Sequence, residues 1–232
     1  MNCPKHVLIL STAYAPLIGG SELAIRHLTD RMPDIAFDLI TGRSSPELPA
    51  QERIGNVRVS RVGGGWAMQS LLVPKAFLPL AIFLKARALI ARGERYDLIH
   101  AFQASQAGGA GLLLKRFYPA MPFLLTLQEG KDMRHQSFLI HFFRSLIIKS
   151  ANAVTVISMY LERYVRSLAP SLLVRLIPNG VDLTVFSEPV APEVLAAMRR
   201  EIGIGPDTRI ILSVSRLVEK NVLTNLIHAL KE

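Results

Sequence analysis

HVLILSTAYAPLIGGSELAIRHLTDR, residues 6–31, joins a short apolar run to a stretch of helical periodicity through two adjacent glycines. The run HVLIL is typical of a parallel strand buried on both faces, and Ser21–Arg31 predicts a helix. Gly19 and Gly20 between them have two interpretations. They form a tight turn, which suits glycine, or they let an anion such as phosphate approach the free amides at the helix N-terminus. Ser21 is a candidate N-cap of this helix.

The same alternation of apolar runs and helical stretches continues along the chain. Further strands are predicted at FDLIT (37–41), VRVSRV (57–62), YDLIHAF (96–102), FLLTL (123–127), AVTVIS (153–158), VRLIP (174–178) and RIILSVS (209–215). Helical patterns cover residues 71–91, 105–116, 136–150 and 159–168. Such alternation predicts an α/β fold with a Rossmann-like, doubly wound parallel sheet. Ligands of these sheets bind outside the carboxyl ends of the strands.

Charge and composition limit the class of partner. The 232 residues carry a net charge of +9 with a pI near 10.0, and the mean hydropathy is +0.31. A basic chain implies an anionic partner, such as nucleic acid, phospholipid headgroups or a phosphorylated small molecule. The absence of an RNP-like motif, zinc-finger spacing or a long Lys/Arg block argues against nucleic acid. The single cysteine, Cys3, is consistent with a reducing cytoplasm.

Domain organisation changes after LIPNGVDLTVF, where prolines occur at positions 178, 189 and 192. We predict a first domain over residues 1–185, followed over residues 186–232 by a linker and an incomplete second domain. In this second part, EVLAAMRREIGI (193–204) predicts a helix, and residues 209–232 predict one more strand and one more helix. A lone βα unit cannot bury both faces of its strand, so it joins the main sheet or belongs to a domain whose remainder is missing.

Six segments occur in one order along the chain: TAYAPLIGGSELAIRHL, YDLIHAF, FLLTLQEGKD, SANAVTVISMYLERYV, LIPNGVDLTVF and ILSVSRLVEKNVLTNLIHAL. Together they resemble the retaining GT-B glycosyltransferases of the large family-four group. In that family the first motif reads P-x-x-G-G-x-E, and IPNGVD followed by Phe marks the end of the acceptor-binding domain. The resemblance implies that residues 1–185 form the N-terminal Rossmann-like half of a GT-B fold. It also implies sugar transfer from a nucleotide diphosphate sugar, with retention and without a metal or other cofactor.

The resemblance further implies which residues meet the donor diphosphate. Gly19 and Gly20 would approach it from one domain through their backbone amides. Arg216 and a nearby lysine, in SRLVEKN, would approach it from the other, and cations there stabilise the charge of the leaving diphosphate. A gap-free alignment places Asn221 where the family has lysine, whereas shortening the loop by one residue places Lys220 there. We favour Lys220 because the chemistry requires a cation.

Three further residues are implied to position the donor sugar or the acceptor: Gln128, Glu22 and His100. Gln128 stands where many family members have a histidine. An amide can hydrogen-bond a sugar hydroxyl but cannot act as a general base. Glu22 has an alternative explanation, since an acidic residue in the first turn of a helix is favoured by the dipole alone. His100, expected at a strand end, has the alternative of a purely structural hydrogen bond.

The family's E-x-F/Y-G-x-x-x-x-E segment, which holds the sugar and ribose, is not in this sequence. We therefore expect the chain alone to be inactive. Two other hypotheses remain: a non-catalytic half of a split transferase, and a phosphate-binding Rossmann module without transferase chemistry. The acceptor is expected to be either a saccharide or a lipid-linked molecule.

Two apolar and basic stretches, residues 71–92 and 137–150, have alternative explanations. They are buried crossover helices, or they lie on an anionic membrane surface. In the second stretch, one helical face holds Phe138, Phe142, Phe143 and Leu146. On the membrane interpretation the protein is cytoplasmic and peripheral at the inner face of the membrane.

Overall fold

The computed structural model describes residues 5–63, 73–129, 137–205, 208–215 and 223–230. The chain divides into two compact units, Met1–Gly180 and Val181–Glu232. This division lies five residues before the predicted domain boundary after residue 185, which stays a prediction.

The first unit is an eight-stranded sheet with helices between its strands. Its elements in chain order are β1 (His6–Leu10), α1 (Gly20–Asp30), β2 (Ala36–Gly42), β3 (Gln51–Ile54), β4 (Val57–Val62), α2 (Val73–Ala91), β5 (Leu98–Phe102), α3 (Gln106–Phe117), β6 (Phe123–Leu127), α4 (Phe138–Ser150), β7 (Ala153–Val156), α5 (Met159–Leu168) and β8 (Leu173–Leu176). The strand order is β3-β4-β2-β1-β5-β6-β7-β8. Every strand predicted from HVLIL to VRLIP is confirmed, with ends that differ by up to two residues.

Strand β3 was not predicted, and it is the antiparallel member of the sheet. Its sequence QERI lacks an apolar run because β3 lies at the sheet edge, where its side chains alternate between exposed and partly buried. A signal was present in the two-residue connection to β4, where Gly55 has a φ of 59°. Short hairpin loops of this kind favour glycine in the left-handed region.

Strand β1 lies at the centre of the sheet and fixes where a ligand can bind. It pairs in parallel with β2 on one side and with β5 on the other, so that Ile9 faces both Leu39 and His100 in register. The chain first builds the sheet outward through β2 and then returns to β5 on the opposite side. A crevice outside the carboxyl ends of β1 and β5 is therefore expected at this topological switch point.

Two apolar clusters cover the two faces of the sheet. On one face, Leu8 and Leu10 of β1 join buried side chains of α2, α3, α4 and α5. On the other, Val7 and Ile9 of β1 pack with Ile25 of α1. Alternate residues of the central strand are thus buried in opposite directions, as the continuous apolar run predicts.

Helix α3 lies close to the sheet because it carries glycine where it crosses β6. A Cβ atom added at Gly111 would lie 2.5 Å from Cζ of Phe123, a fully buried ring. The close approach therefore depends on the missing side chain.

The apolar and basic helices α2 and α4 have different surroundings. Helix α2 buries one face, including Leu78, Ile82 and Phe83, as expected of a crossover helix. Helix α4 buries Ile147 and Ile148, whereas its predicted apolar face is exposed: Phe138 by 83%, Phe142 by 47%, Phe143 by 53% and Leu146 by 40%. Of the two alternatives for this face, packing against the core does not hold, because the buried residues of α4 lie on its last turns. Within the described ranges, no helix has both the length and the apolar character needed to cross a bilayer.

The second unit contains α6 (Leu183–Phe186), α7 (Pro192–Glu201) and α8 (Leu223–Ala229). Helix α7 confirms the helix predicted from residue 193. The strand predicted at RIILSVS is wrong, since residues 209–215 form no strand and are exposed throughout. An apolar pattern alone does not make a strand, because the backbone needs a neighbouring strand to satisfy its hydrogen bonds.

Candidate functional site

The candidate site lies at the carboxyl edge of the sheet, around the switch point between β1 and β5. Three loops contribute to it: residues 11–19 after β1, residues 103–105 after β5, and Gln128 with Glu129 after β6.

The glycine pair lies at the start of α1. Gly19 is the N-cap, with extended backbone (φ −150°), and the helix begins at Gly20. Neither glycine has a positive φ, so the backbone conformation does not require glycine at either position. A Cβ atom at Gly20 would find nothing within 4 Å. The turn interpretation therefore has no conformational basis here, and the space beside the first amide of the helix is open.

The predicted cap at Ser21 is wrong. Ser21 lies inside the helix, and its hydroxyl donates to Oε2 of Glu22 at 3.1 Å. The Glu22 carboxylate folds back over the N-terminus of α1, where its Cδ lies 3.3 Å from the place a Gly19 Cβ would take. A carboxylate is favoured there by the helix dipole. Glu22 thus lies where the sequence predicts phosphate, and its positioning role stays a prediction.

The loop that leads to the glycines is held by Arg61 of β4, which sequence reasoning missed. Its side chain is 1% exposed and forms an ion pair with Glu52. Its guanidinium donates to the carbonyl oxygen of Ala15 at 2.6 Å and to that of Pro49 at 3.2 Å. A signal existed in the VRVSRV pattern, because Arg61 shares the inward side of the strand with Val57 and Val59.

The loop after β5 has an unusual backbone, which sequence reasoning also missed. Gln103 has a φ of 72°, and among the described residues no other non-glycine residue has a positive φ. The amide of the next residue, Ala104, donates to Oε1 of Glu129 at 2.6 Å. Burial raises the pKa of Glu129, against the opposing influence of the Ala104 hydrogen bond and of Arg144. Its second oxygen, Oε2, is buried without a hydrogen-bond partner in the described part of the chain.

Gln128 is brought next to the IPNGVD segment. Its Nε2 donates to Oδ1 of Asn179 at 3.1 Å. Its Oε1 is buried and finds no partner among the residues that the structure describes. The amide therefore has an unused acceptor at the end of β6, and its predicted role toward a sugar hydroxyl stays a prediction.

His100 lies within β5, not at its end as expected, because the strand continues to Phe102. It is 7% exposed, and its Nε2 lies 2.7 Å from Oγ1 of Thr126, which in turn lies 2.6 Å from Oγ1 of Thr155. Burial lowers the pKa of His100 to about 4, so the imidazole is neutral at pH 7. The structural hydrogen bond is present, and a role toward the acceptor stays a prediction. Arg216 and Lys220, predicted to meet the diphosphate, lie outside the described residues.

The amino ends of the strands hold a separate charged cluster. Ligand atoms of His6, Asp38 and Glu94 lie within 4.8 Å of one another and line a cavity of about 500 Å³. Arg58 already binds both carboxylates, at 2.6 Å from Nε to Asp38 and 2.5 Å from Nη2 to Glu94. Since a guanidinium neutralises these ligands, we interpret the cluster as an ion-pair network at the end of the sheet opposite the candidate site.

Comparison with known proteins agrees with the fold described above. Residues 18–185 match the sequence profile of Glycosyltransferase Family 4. No match was found among curated proteins. Sucrose-phosphate synthase from Thermosynechococcus elongatus is similar in structure, with a TM-score of 0.74 and 21% identity over 97% of this chain and 59% of that one. HepE from Anabaena, in complex with UDP and glucose, has a TM-score of 0.69 and 18% identity over 97% of this chain and 57% of that one.

These TM-scores show a shared fold and confirm the predicted Rossmann-like half of a GT-B fold. The chain spans less than two thirds of the length of either protein.

Proposed function

Because this chain belongs to Glycosyltransferase Family 4, we propose that it takes part in transferring a hexosyl group from a nucleotide diphosphate sugar to a saccharide or lipid-linked acceptor. The reaction proceeds with retention and without a metal, in the biosynthesis of cell-surface polysaccharide. The family match covers residues 18–185, which we propose to bind the acceptor, and the complete reaction also needs a donor-sugar segment that residues 1–232 do not contain. The chain by itself is proposed to bind and not to turn over.

The observation that carries the proposal is the N-terminus of α1 at the switch point, where the space beside Gly20 is open and an anion, the Glu22 carboxylate, already lies against Gly19. The amides at Gly19 and Gly20 are not covered by a side chain of their own residues, and the backbone conformation offers no other reason for two glycines. As the bond from sugar to diphosphate breaks, negative charge grows on the leaving phosphate oxygen. Amides fixed in place and aligned with a helix dipole stabilise that charge without reorganising.

Cations from the second domain complete the proposed diphosphate site. Arg216 can hold two phosphate oxygens at once through its planar guanidinium, and Lys220 supplies a mobile point charge. The Glu22 carboxylate has to leave the helix N-terminus when the diphosphate arrives, because two anions repel each other there. Once displaced, Glu22 is free to position a sugar hydroxyl.

Neutral residues position the sugar and the acceptor in this proposal. Gln128 has an unpartnered acceptor oxygen and cannot take a proton near neutral pH, so it orients a hydroxyl and does not act as a base. His100 is neutral as well, and its Nε2 is already bonded to Thr126. It would therefore act indirectly, by holding β5 against β6.

Titration calorimetry with UDP and GDP tests the proposal. We expect at least one nucleotide to bind, and Gly20→Trp to abolish binding without loss of the folded state. Equal affinity in Gly20→Trp would refute the phosphate site. A chain that binds nucleotide but never supports sugar transfer to acceptor-bearing membranes, even with a donor-domain partner added, would favour the phosphate-binding module.

The surface of α2, α3 and α4 supports a membrane partner. These three helices, which pack side by side on one face of the sheet, carry no Asp or Glu and seven basic residues, of which Arg144 is buried. The exposed face of α4 is mostly aromatic or aliphatic. An apolar ridge within a basic layer is suited to the interface of an anionic bilayer, where apolar burial and attraction to headgroups act together. We propose that the protein works at the inner face of the cytoplasmic membrane.

Vesicle sedimentation tests the membrane partner. We expect binding to phosphatidylglycerol vesicles that falls as salt rises from low to physiological concentration, and weaker binding to phosphatidylcholine. The double variant Phe142→Ser/Phe143→Ser should lose binding. Met32→Ser removes an exposed apolar residue that follows α1 on the other face, and it should bind as wild type does. Salt-independent or lipid-independent sedimentation would contradict the proposal.

A further inference from the structure

We propose that Gln103 is a further substrate-contact residue, whose side-chain amide hydrogen-bonds a hydroxyl of a saccharide at the crevice between β1 and β5. This inference rests on the proposed glycosyltransferase function. It adds a recognition residue that neither the glycine motif nor the predicted positioning residues include.

The backbone at Gln103 is the first observation. Its φ of 72° lies in the left-handed region, which L-residues with a long side chain rarely adopt. Glycine adopts this conformation without strain, and asparagine adopts it more readily than glutamine. Non-glycine residues held in such conformations cluster at active sites and ligand clamps, where the surrounding structure enforces them. A glutamine at this position therefore needs a reason other than the turn.

The surrounding structure does enforce this conformation. The backbone N–H of Gln103 donates to the carbonyl of Thr126 at 2.8 Å, and its carbonyl accepts from the amide of Gly108 at 3.2 Å. The next amide, that of Ala104, donates to the Glu129 carboxylate at 2.6 Å. A Cβ atom at Gly108 would lie 2.7 Å from the Gln103 carbonyl oxygen. Hydrogen bonds to β6 and α3, a carboxylate from the next loop and a missing side chain thus fix the two peptides on either side of the Gln103 Cα.

The place of Gln103 is the second observation. It is the first residue after β5, at the switch point where ligands of doubly wound sheets bind. The side chain is partly exposed. No hydrogen bond of its side-chain amide is found within the described part of the chain.

The chemistry of an amide indicates the class of ligand. A glutamine side chain offers two donors and an acceptor with no charge, which matches the hydroxyl groups of a neutral sugar better than a phosphate. The neighbouring strand β6 is followed directly by Gln128, a second amide with an unused acceptor. Two uncharged amides at adjacent strand ends would recognise a saccharide, whereas the helix N-terminus at Gly20 would recognise the diphosphate.

Glu129 acts through Gln103 in this scheme and is a positioning residue. One carboxylate oxygen holds the amide that follows Gln103, and the carboxylate is buried. Glu129→Gln keeps an oxygen that can accept this hydrogen bond, whereas Glu129→Ala removes it. The pair of substitutions separates the effect of the hydrogen bond from that of the charge.

Saturation-transfer difference NMR on the whole chain tests the inference, with methyl α-D-glucopyranoside, methyl α-D-mannopyranoside and N-acetylglucosamine as probes. We expect a signal from at least one sugar in wild type, and at least a fivefold weaker signal in Gln103→Gly. The glycine variant relieves the backbone conformation, so its melting temperature should be equal or higher. Gln103→Asn, which tolerates the same conformation but has a shorter amide, should also lose signal. Gln51→Ala, on the exposed edge strand β3, should give the wild-type signal.

The positioning variants and nucleotide binding complete the experiment. Glu129→Ala should lose signal as Gln103→Gly does, and Glu129→Gln should restore it. Calorimetry with UDP should give the same affinity in Gln103→Gly as in wild type. Wild-type signal in the Gln103→Gly variant, or no signal from any of the three sugars in wild type, would overturn the inference. Failure of nucleotide binding in wild type would instead count against the proposed function.

Discussion

Replacing Gly20 by alanine separates the two interpretations of the glycine pair. Gly20 is the first residue of α1, its φ is not positive, and a Cβ atom there meets nothing within 4 Å. The folded state can therefore accept the methyl group without strain. If the glycine serves only a turn, the substitution should leave nucleotide affinity unchanged. If it serves a ligand, stability and binding should change in opposite directions.

The effect on stability follows from the unfolded state. Alanine has fewer backbone conformations to lose on folding than glycine, which stabilises a compatible site by about 0.4–1 kcal/mol. For a chain of this length, 1 kcal/mol corresponds to a change in melting temperature of roughly 2–4 °C. We expect Gly20→Ala to raise the melting temperature by about 1–4 °C.

The effect on binding follows from the hydrogen bonds that the methyl group would obstruct. A hydrogen bond to a charged group contributes about 1.5–3 kcal/mol. Loss of one such bond to a phosphate oxygen weakens binding by roughly ten- to a hundredfold. We expect this loss in calorimetric titrations with the nucleotide that wild type binds.

Gly93 provides the matched control. It also has open space around a Cβ position, but its φ of 101° favours glycine, and it follows the end of α2, far along the chain from the glycine pair. Gly93→Ala should lower the melting temperature, since a left-handed L-residue costs about 1–2 kcal/mol, and leave nucleotide affinity unchanged. The reasoning is refuted if Gly20→Ala binds nucleotide as tightly as wild type, or if it melts several degrees lower.

Three further predictions concern the stability of the fold. Burial holds the pKa of His100 at about 4, against about 6.5 in the unfolded chain. The unfolded chain is therefore protonated first, and the free energy of unfolding falls by about 3 kcal/mol as the pH drops from 6.5 to 4. Urea titrations of His100→Phe should show a smaller loss over this interval, and a loss identical to that of wild type would contradict the prediction. Burial raises the pKa of Asp38, but hydrogen bonds from Arg58 and Tyr96 outweigh it and hold that pKa below its ordinary value, so this stabilisation is complete above about pH 4 and is lost as pH falls through the lowered pKa. Asp38→Asn should therefore cost about 1–3 kcal/mol at pH 7 and less at pH 3, and a cost independent of pH in denaturant titrations would count against the ion pair. Gly111→Ala should cost about 1–3 kcal/mol by forcing the Phe123 ring aside, and calorimetry showing an unchanged melting temperature would disprove this close packing.

The sheet could be predicted from sequence because burial on both faces produces apolar runs that are visible locally. HVLIL and FLLTL are buried strands with the bounds that their runs suggest. Two other segments do not follow this relation between apolar runs and strands. Strand β3 is polar because half of it faces water, and RIILSVS stays unpaired although it is apolar. An apolar run within a short window indicates burial. Strand formation also depends on a partner strand, which can lie anywhere in the chain.

The candidate site was predictable only where its residues form a local motif. Gly19 and Gly20 are adjacent and precede a helix, so their chemistry can be inferred from a short window. The residues that hold the loops are distant in sequence from what they hold: Arg61 binds the Ala15 carbonyl across 46 positions, and Glu129 binds the Ala104 amide across 25. No periodicity links such pairs, since the sheet alone brings them together.

The central place of β1 also matters while the protein is being synthesised. Among the strands that the structure describes, β1 is made first and its partner β2 ends at Gly42, but its second partner begins only at Leu98. At a synthesis rate of about 5–20 residues per second, the backbone edge of β1 that pairs with β5 stays unpaired for roughly 3–11 s. During that interval the nascent chain presents an open strand edge that can pair with another chain. Substitutions that delay β5 should therefore lower the yield of folded protein without changing the stability of the finished fold.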